Sequence, residues 1–163
     1  LGALGLVIAG SIWWLYFADV PAMGLSPDHR RRLAWIHLHF PLHLSVIASA
    51  VALAHTLVPH QGAGGHSAPA VSTIRYIVVP IAVILVSIGL IGICSGGPAS
   101  LVRQRARVFL SAAVVLVLAE MVLLGFNSPD LEASAFIVTL VFAVTALCIR
   151  RIQVPSDRSG ADA

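Results

Sequence analysis

Charge is scarce in this sequence. No lysine occurs among its 163 residues, and the ten basic side chains are all arginines. Charged residues amount to 10%, against about 25% in typical soluble proteins, which is too few to clothe a soluble fold of this length in a polar shell. Cysteine is scarce too. Cys94 and Cys148 stand far apart, with neither a CxxC nor a metal-type spacing. Both fall near helix ends assigned below to the cytoplasmic side, where thiols stay reduced, so no disulfide is expected. No GxSxG, HExxH or P-loop signature occurs, and Gly62-Ala63-Gly64-Gly65-His66 reads as a flexible outer loop, not a phosphate cradle. No enzymatic activity is expected. There is no internal repeat.

What the sequence has in abundance is apolar length. Hydrophobic residues make up 58%, gathered into runs of about 20 residues, each long enough to cross a hydrocarbon core of roughly 30 Å. The reading is an all-α, polytopic transmembrane bundle of about five helices. The spans are expected near 1–20, 33–58, 72–94, 106–126 and 133–149. The bundle takes up residues 1–154, and residues 155–163 form a disordered polar tail. Residues 60–72 are a glycine-, alanine- and serine-rich connection. Ser95-Gly96-Gly97-Pro98 stops the third helix, and Asn127-Ser128-Pro129-Asp130 is a turn. Leu1 is not a methionine and no charged stretch precedes the first run, so the chain is expected to be the carboxyl-terminal part of something longer. A signal peptide cut after Val20-Pro21-Ala22 is the competing reading, but the aromatic block Trp13-Trp14-Leu15-Tyr16-Phe17 suits a membrane interface better.

The arginines set an orientation. Arg30, Arg31 and Arg32 are assigned to the first loop, Arg103, Arg105 and Arg107 to the third, and Arg150, Arg151 and Arg158 follow the last span; only Arg75 falls on the opposite side. By the positive-inside rule the first and third loops and the carboxyl terminus are cytoplasmic and Leu1 is outside. Trp13, Trp14 and Trp35 then fall toward the cytoplasmic interface, where indoles prefer to sit. A net charge of +3 built this way is a topology signal, and no basic face with interleaved aromatics suggests a nucleic-acid partner.

The densest polar feature is Trp35-Ile36-His37-Leu38-His39-Phe40-Pro41-Leu42-His43. His39 and His43 share a helix face, with Val46 and Ala50 continuing it. Pro41 lacks an amide hydrogen and so frees the carbonyl of His37, which in hydrocarbon needs another partner. Two readings stand: a proton relay or cation site, since imidazole titrates near physiological pH, or interfacial packing by hydrogen bonds to neighbouring helices. Two ligands on one face fall short of a metal site, and a haem would need axial histidines from two helices; no cofactor is expected. Glu120 is the one acidic residue well inside a span, a functional candidate because a carboxylate in lipid is expensive. It belongs to the outer half of the fourth helix, where His55 matches its depth better than His39 or His43. Asp19 is either a solvated helix-end carboxylate or a partner for Arg30, Arg31 or Arg32. Ser45, Ser49 and Ala52, and the stretch from Gly92 to Gly96, have the small-residue spacing of close helix packing.

The aromatic run Trp13-Trp14-Leu15-Tyr16-Phe17, followed after a polar loop by His39-Phe40-Pro41 in the next helix, resembles the bacterial low temperature requirement A family. In that family a Trp-Trp-Leu-Tyr-Phe-Asp run precedes a helix with a His-x-Pro start. The motif residues here are Trp13, Trp14, Tyr16, Phe17, Asp19 and Pro41, across the first third of the chain. Ala18 stands where the family has its acidic residue, with Asp19 one position later; Ser45 takes the place of a glycine, and Ala54, beside His55, that of an acidic residue. The resemblance implies a longer protein with more helices upstream and a link to growth in the cold, and lends no molecular activity.

The function expected is that of a multi-pass plasma-membrane component passing protons, ions or small solutes. The alternative is a non-transporting structural or regulatory membrane protein supporting growth at low temperature. The expected partners are the lipid bilayer and either missing upstream helices or a second copy.

Overall fold

Among the described residues five helices follow one another: α1 (Gly2–Asp19), α2 (His29–Leu57), α3 (Ala70–Cys94), α4 (Ala99–Gly125) and α5 (Leu131–Gln153). The computed structural model describes the backbone of residues 2–19, 24–57, 70–125 and 131–153, and side chains of 5–17, 24–54, 77–123 and 136–152. The described residues are helical apart from the short connections and one isolated antiparallel bridge, Leu25 to Ser95. The side chains of Asp19, His55 and Arg75, most of the 60–72 connection, the Asn127–Asp130 turn and the 155–163 tail lie outside the described residues. Three stretches, His29–Ala54, Ile77–Cys94 and Ala99–Leu123, are long and apolar enough to cross a membrane, while the apolar stretch described for α1, Gly5–Phe17, is shorter.

The helices run past their apolar stretches, and this corrects the placement of the arginines. Arg30, Arg31 and Arg32 lie in the first turns of α2, Arg103, Arg105 and Arg107 in α4, and Arg150 and Arg151 in the last turn of α5, not in loops. A hydrophobic run measures the bilayer; a helix ends where its backbone bonds end. Asp28 caps α2, its Oδ1 accepting the Arg30 N–H at 3.1 Å while Ser26 Oγ accepts the Asp28 N–H at 3.3 Å. Pro98 precedes α4 without wasting a donor, and its carbonyl accepts the Val102 N–H at 3.0 Å. Arginine is itself a good helix former. The Asp28–Arg31 ion pair, 3.9 Å apart and exposed, adds little stability.

The fold is built around α3, which packs against α2, α4 and α5; α5 also touches α4 and α1, and α1 reaches α3. Ile81, Ile84, Leu85, Ile88 and Ile91 of α3 are fully enclosed, meeting Phe109, Ala113 and Leu116 of α4 and Val138 and Phe142 of α5. Gly89 lets α3 and α4 approach, because a Cβ placed there would lie 3.1 Å from the Phe109 Cβ. The pattern of α2 is inverted relative to a soluble helix. Its large apolar side chains Ile36, Phe40, Leu44, Ile47 and Val51 are exposed, while the small residues Ser45 and Ala52 are buried. In water such an apolar face would be a liability. Against lipid it is the ordinary outer surface, with small residues inside to bring helices close.

A clasp joins the two connections at one end. Gly24 adopts a left-handed φ of 64°, and its carbonyl accepts the Gly96 N–H at 3.2 Å beside the Leu25–Ser95 bridge. The starts of α2 and α4 therefore share one end of the bundle, with α5 returning to it. Arg30, Arg31, Arg32, Arg103, Arg107, Arg150 and Arg151 are exposed at that end, whereas Arg105 is buried. Cys94 and Cys148 are free thiols, both half-buried.

Candidate functional site

The histidines of α2 are held by their own helix. The Nδ1 atoms of His37, His39 and His43 lie 2.7, 2.7 and 2.6 Å from the carbonyl oxygens of Leu33, Trp35 and His39, each one turn back. A carbonyl can only accept, so each Nδ1 carries its hydrogen, and in the neutral ring Nε2 is left as an acceptor. The imidazoles thus take the carbonyls of Leu33, Trp35 and His39, where the sequence pointed to the carbonyl of His37 freed by Pro41 inside α2.

His39 joins two helices. Tyr16 of α1 lies with its hydroxyl 2.8 Å from His39 Nε2, and given the tautomer it is the Tyr16 O–H that donates. The ring stands edge-on to Tyr16 at 5.9 Å and lies 4.2 Å from the Trp35 ring, with His43 next along at 6.2 Å. Tyr16 and Phe17 meet edge-on at 5.1 Å, and Trp13 lies 5.0 Å from Phe17. The aromatic run of α1 and the histidine segment of α2 therefore form one cluster, which the sequence marked only as two separate motifs. Trp13 and Phe17 are exposed, while Tyr16 and His39 are half-buried. A double-mutant cycle of Tyr16→Phe and His39→Phe on unfolding in micelles is expected to show a coupling on the order of 0.6 kcal/mol, the usual worth of such a bond between membrane helices. A coupling of zero would remove the bond from the folded state.

Beyond this bond α1 and α2 part. They approach closely again at Gly5, where an added Cβ would run into the Leu53 side chain. Between the two contacts lies a cleft of about 620 Å³. Ile8, Ile12 and Tyr16 form one wall, His43, Val46 and Ser49 the other, and Ile77 and Ile81 of α3 close its base. Nothing in the sequence analysis pointed to this cleft. The available signal was the small pair Gly5 and Ala9 on the same face of α1 as Tyr16.

Glu120 is elsewhere. It is 5% exposed, in the buried stripe of α4 that also holds Phe109, Ala113 and Leu116, and it is not without a partner. Because α3 stands between α2 and α4, Glu120 is not brought to His39 and His43. Its suggested neighbour His55 lies outside the described side chains, as does Asp19. Ser45 is buried, and Ser49, on the cleft wall, donates its hydroxyl to the Ser45 carbonyl at 2.8 Å. Among the described residues no three histidine, cysteine, aspartate or glutamate side chains converge as a metal site.

The family described as bacterial low temperature requirement A protein (LtrA) matches residues 1–147, taking in α1 with its aromatic run, the histidine segment and most of α5. No curated protein and no solved structure matches the chain. With nearly its whole length matched, the chain is a membrane protein that belongs to the bacterial low temperature requirement A family.

Proposed function

We propose that this LtrA-family chain is a multi-pass plasma-membrane transport component, passing a proton or small solute along the seam of α1 and α2. The observation that carries the reading is the Tyr16–His39 hydrogen bond of 2.8 Å at the edge of the cleft that His43 lines. It sets two imidazoles and a phenol, groups able to pass or receive a proton, beside a space a solute can enter. Arginines gathered at one end support an orientation with that end cytoplasmic. Pro41 and Pro80 inside α2 and α3 and the buried Glu120 add weight, since such features are usual where helices line a path. No catalytic role belongs to this reading.

The test is dissipation of an imposed pH gradient in proteoliposomes, together with uptake of small labelled solutes. Wild-type protein is expected to exceed protein-free vesicles in one of the two assays. His39→Phe and Tyr16→Phe should each reduce that rate by roughly a hundredfold, the lower end of the usual range for losing a proton-transfer group, with yield and oligomeric profile unchanged. Rates equal to empty vesicles in both assays would sink the reading. They would favour the second one, a structural or regulatory protein supporting growth in the cold. That alternative has its own support: each imidazole is bonded to its own helix, and Glu120 stands across α3 from the histidines.

A further inference from the structure

The outer face of α4 changes character along its length. Arg103 and Arg107 stand one turn apart on it, and Ser111, Val114, Leu118 and Met121 continue the same face, all exposed. From Arg103 to Met121 the helix makes about five full turns, so the stripe runs straight along it. Arg105, between the two arginines, turns inward and is buried. Arg107 and Leu118 are separated by about 16 Å along the axis at 1.5 Å per residue, close to half of a hydrocarbon core of roughly 30 Å. The face thus offers two cations at one end of the bundle and one leaflet's depth of apolar surface beneath them. On α2 and α5 the outer faces carry single arginines, Arg32 before Ile36 and Phe40 and Arg151 after Val144 and Leu147. Among the described residues α4 alone sets two on one face.

Like charges one turn apart on a helix repel. Among the described residues neither guanidinium is in an ion pair; the pair at this end joins Arg31 to Asp28. Arg103 gives its Nε–H to the Ala99 carbonyl at 3.2 Å and keeps the donors of its terminal nitrogens. A phosphate diester can take hydrogen bonds from both guanidiniums, whose planar forks match its oxygens. A soluble phosphate would match only the arginines, and a hydrocarbon only the stripe below them. A zwitterionic lipid brings a cation of its own and leaves the two charges unbalanced. A second copy lying parallel on this face would set like charge against like. The amphiphile that answers both halves is a phospholipid of net negative charge.

We propose that the outer face of α4 binds an anionic phospholipid from the adjoining leaflet, its phosphate between the guanidiniums of Arg103 and Arg107 and its acyl chain along Val114 and Leu118. The helix α3 separates this site from the histidines of α2. The inference therefore goes beyond the transport reading and does not depend on it.

The test uses the full-length protein in phosphatidylcholine nanodiscs doped with phosphatidylglycerol that carries a diazirine in one acyl chain. Phosphatidylcholine with the same chain is the comparator. The two leaflets of such a disc are alike, so the direction of insertion does not enter. Phosphatidylglycerol is expected to label α4 peptides about thirtyfold more than phosphatidylcholine, since each arginine near the surface favours an anionic lipid about fivefold. Arg103→Gln and Arg107→Gln should each cut that labelling about fivefold, and the double variant should bring it to the phosphatidylcholine level. Arg32→Gln, on α2, should leave it unchanged. For the wild-type protein, about 1 M sodium chloride should remove most of the preference, because charges are then screened beyond roughly 3 Å. Equal labelling by the two lipids, or a preference that survives high salt or the double variant, would overturn the proposal. Loss of labelling to millimolar inorganic phosphate at constant ionic strength would overturn it in favour of a soluble anion. Cross-links between two copies through α4 would overturn it in favour of a second chain.

Discussion

Phe109→Ala is expected to lower the stability of the full-length protein by about 3 kcal/mol, read as a shifted unfolding midpoint in mixed micelles. Phe109 is fully enclosed between α3 and α4, and truncating such a ring typically costs about 3–5 kcal/mol. The lower figure applies because lipid is as apolar as the core, so the transfer part of the loss shrinks and lost packing contacts dominate. Exposed Phe40, on the outer face of α2, is the internal comparison: its alanine variant should change the midpoint far less. Equal effects at the two positions would mean that the α3–α4 interface is not where the bundle is held.

The second large effect is at the facing glycine. A Cβ at Gly89 would already lie 3.1 Å from the Phe109 Cβ and 3.6 Å from the Ala106 carbonyl oxygen. Alanine there needs a shift of a few tenths of an ångström. Leucine needs the helices to separate, at a cost of about 3 kcal/mol, the upper end of ordinary overpacking. The two substitutions should not add. With Phe109 cut back to alanine, a leucine at position 89 has space to enter, and the double variant should recover more than about 1 kcal/mol of the summed loss. Strict additivity would show that α3 and α4 do not meet through these residues.

Apolar run length alone was enough to read the number and kind of helices, because the bilayer imposes a minimum length. It could not place the helix ends: caps at Ser26 and Asp28 and the proline at 98 carry helical bonding past the hydrocarbon limit, and the arginines go with it. The shared face of His39 and His43 follows from their spacing on one helix. Their partners do not, because a hydrogen bond such as Tyr16 to His39 depends on how two helices lean together. The same holds for Glu120. Depth separated it from the histidines in the sequence, but the intervening α3 is a matter of packing order. The family motif residues Tyr16 and Pro41 were legible as a pattern; that Tyr16 spends its hydroxyl on His39 was not.

The clasp at Gly24 also bears on how the chain is made. Its donor is the N–H of Gly96, so it cannot close until that residue has left the ribosome. By then α2 and α3 are complete. Until then the α1–α2 pair is held by the Tyr16–His39 bond of its own seam, and its loop is fastened only when the chain turns into α4. The fastening is a late stitch in biosynthesis, and it fixes which end of the first hairpin stays beside the arginines.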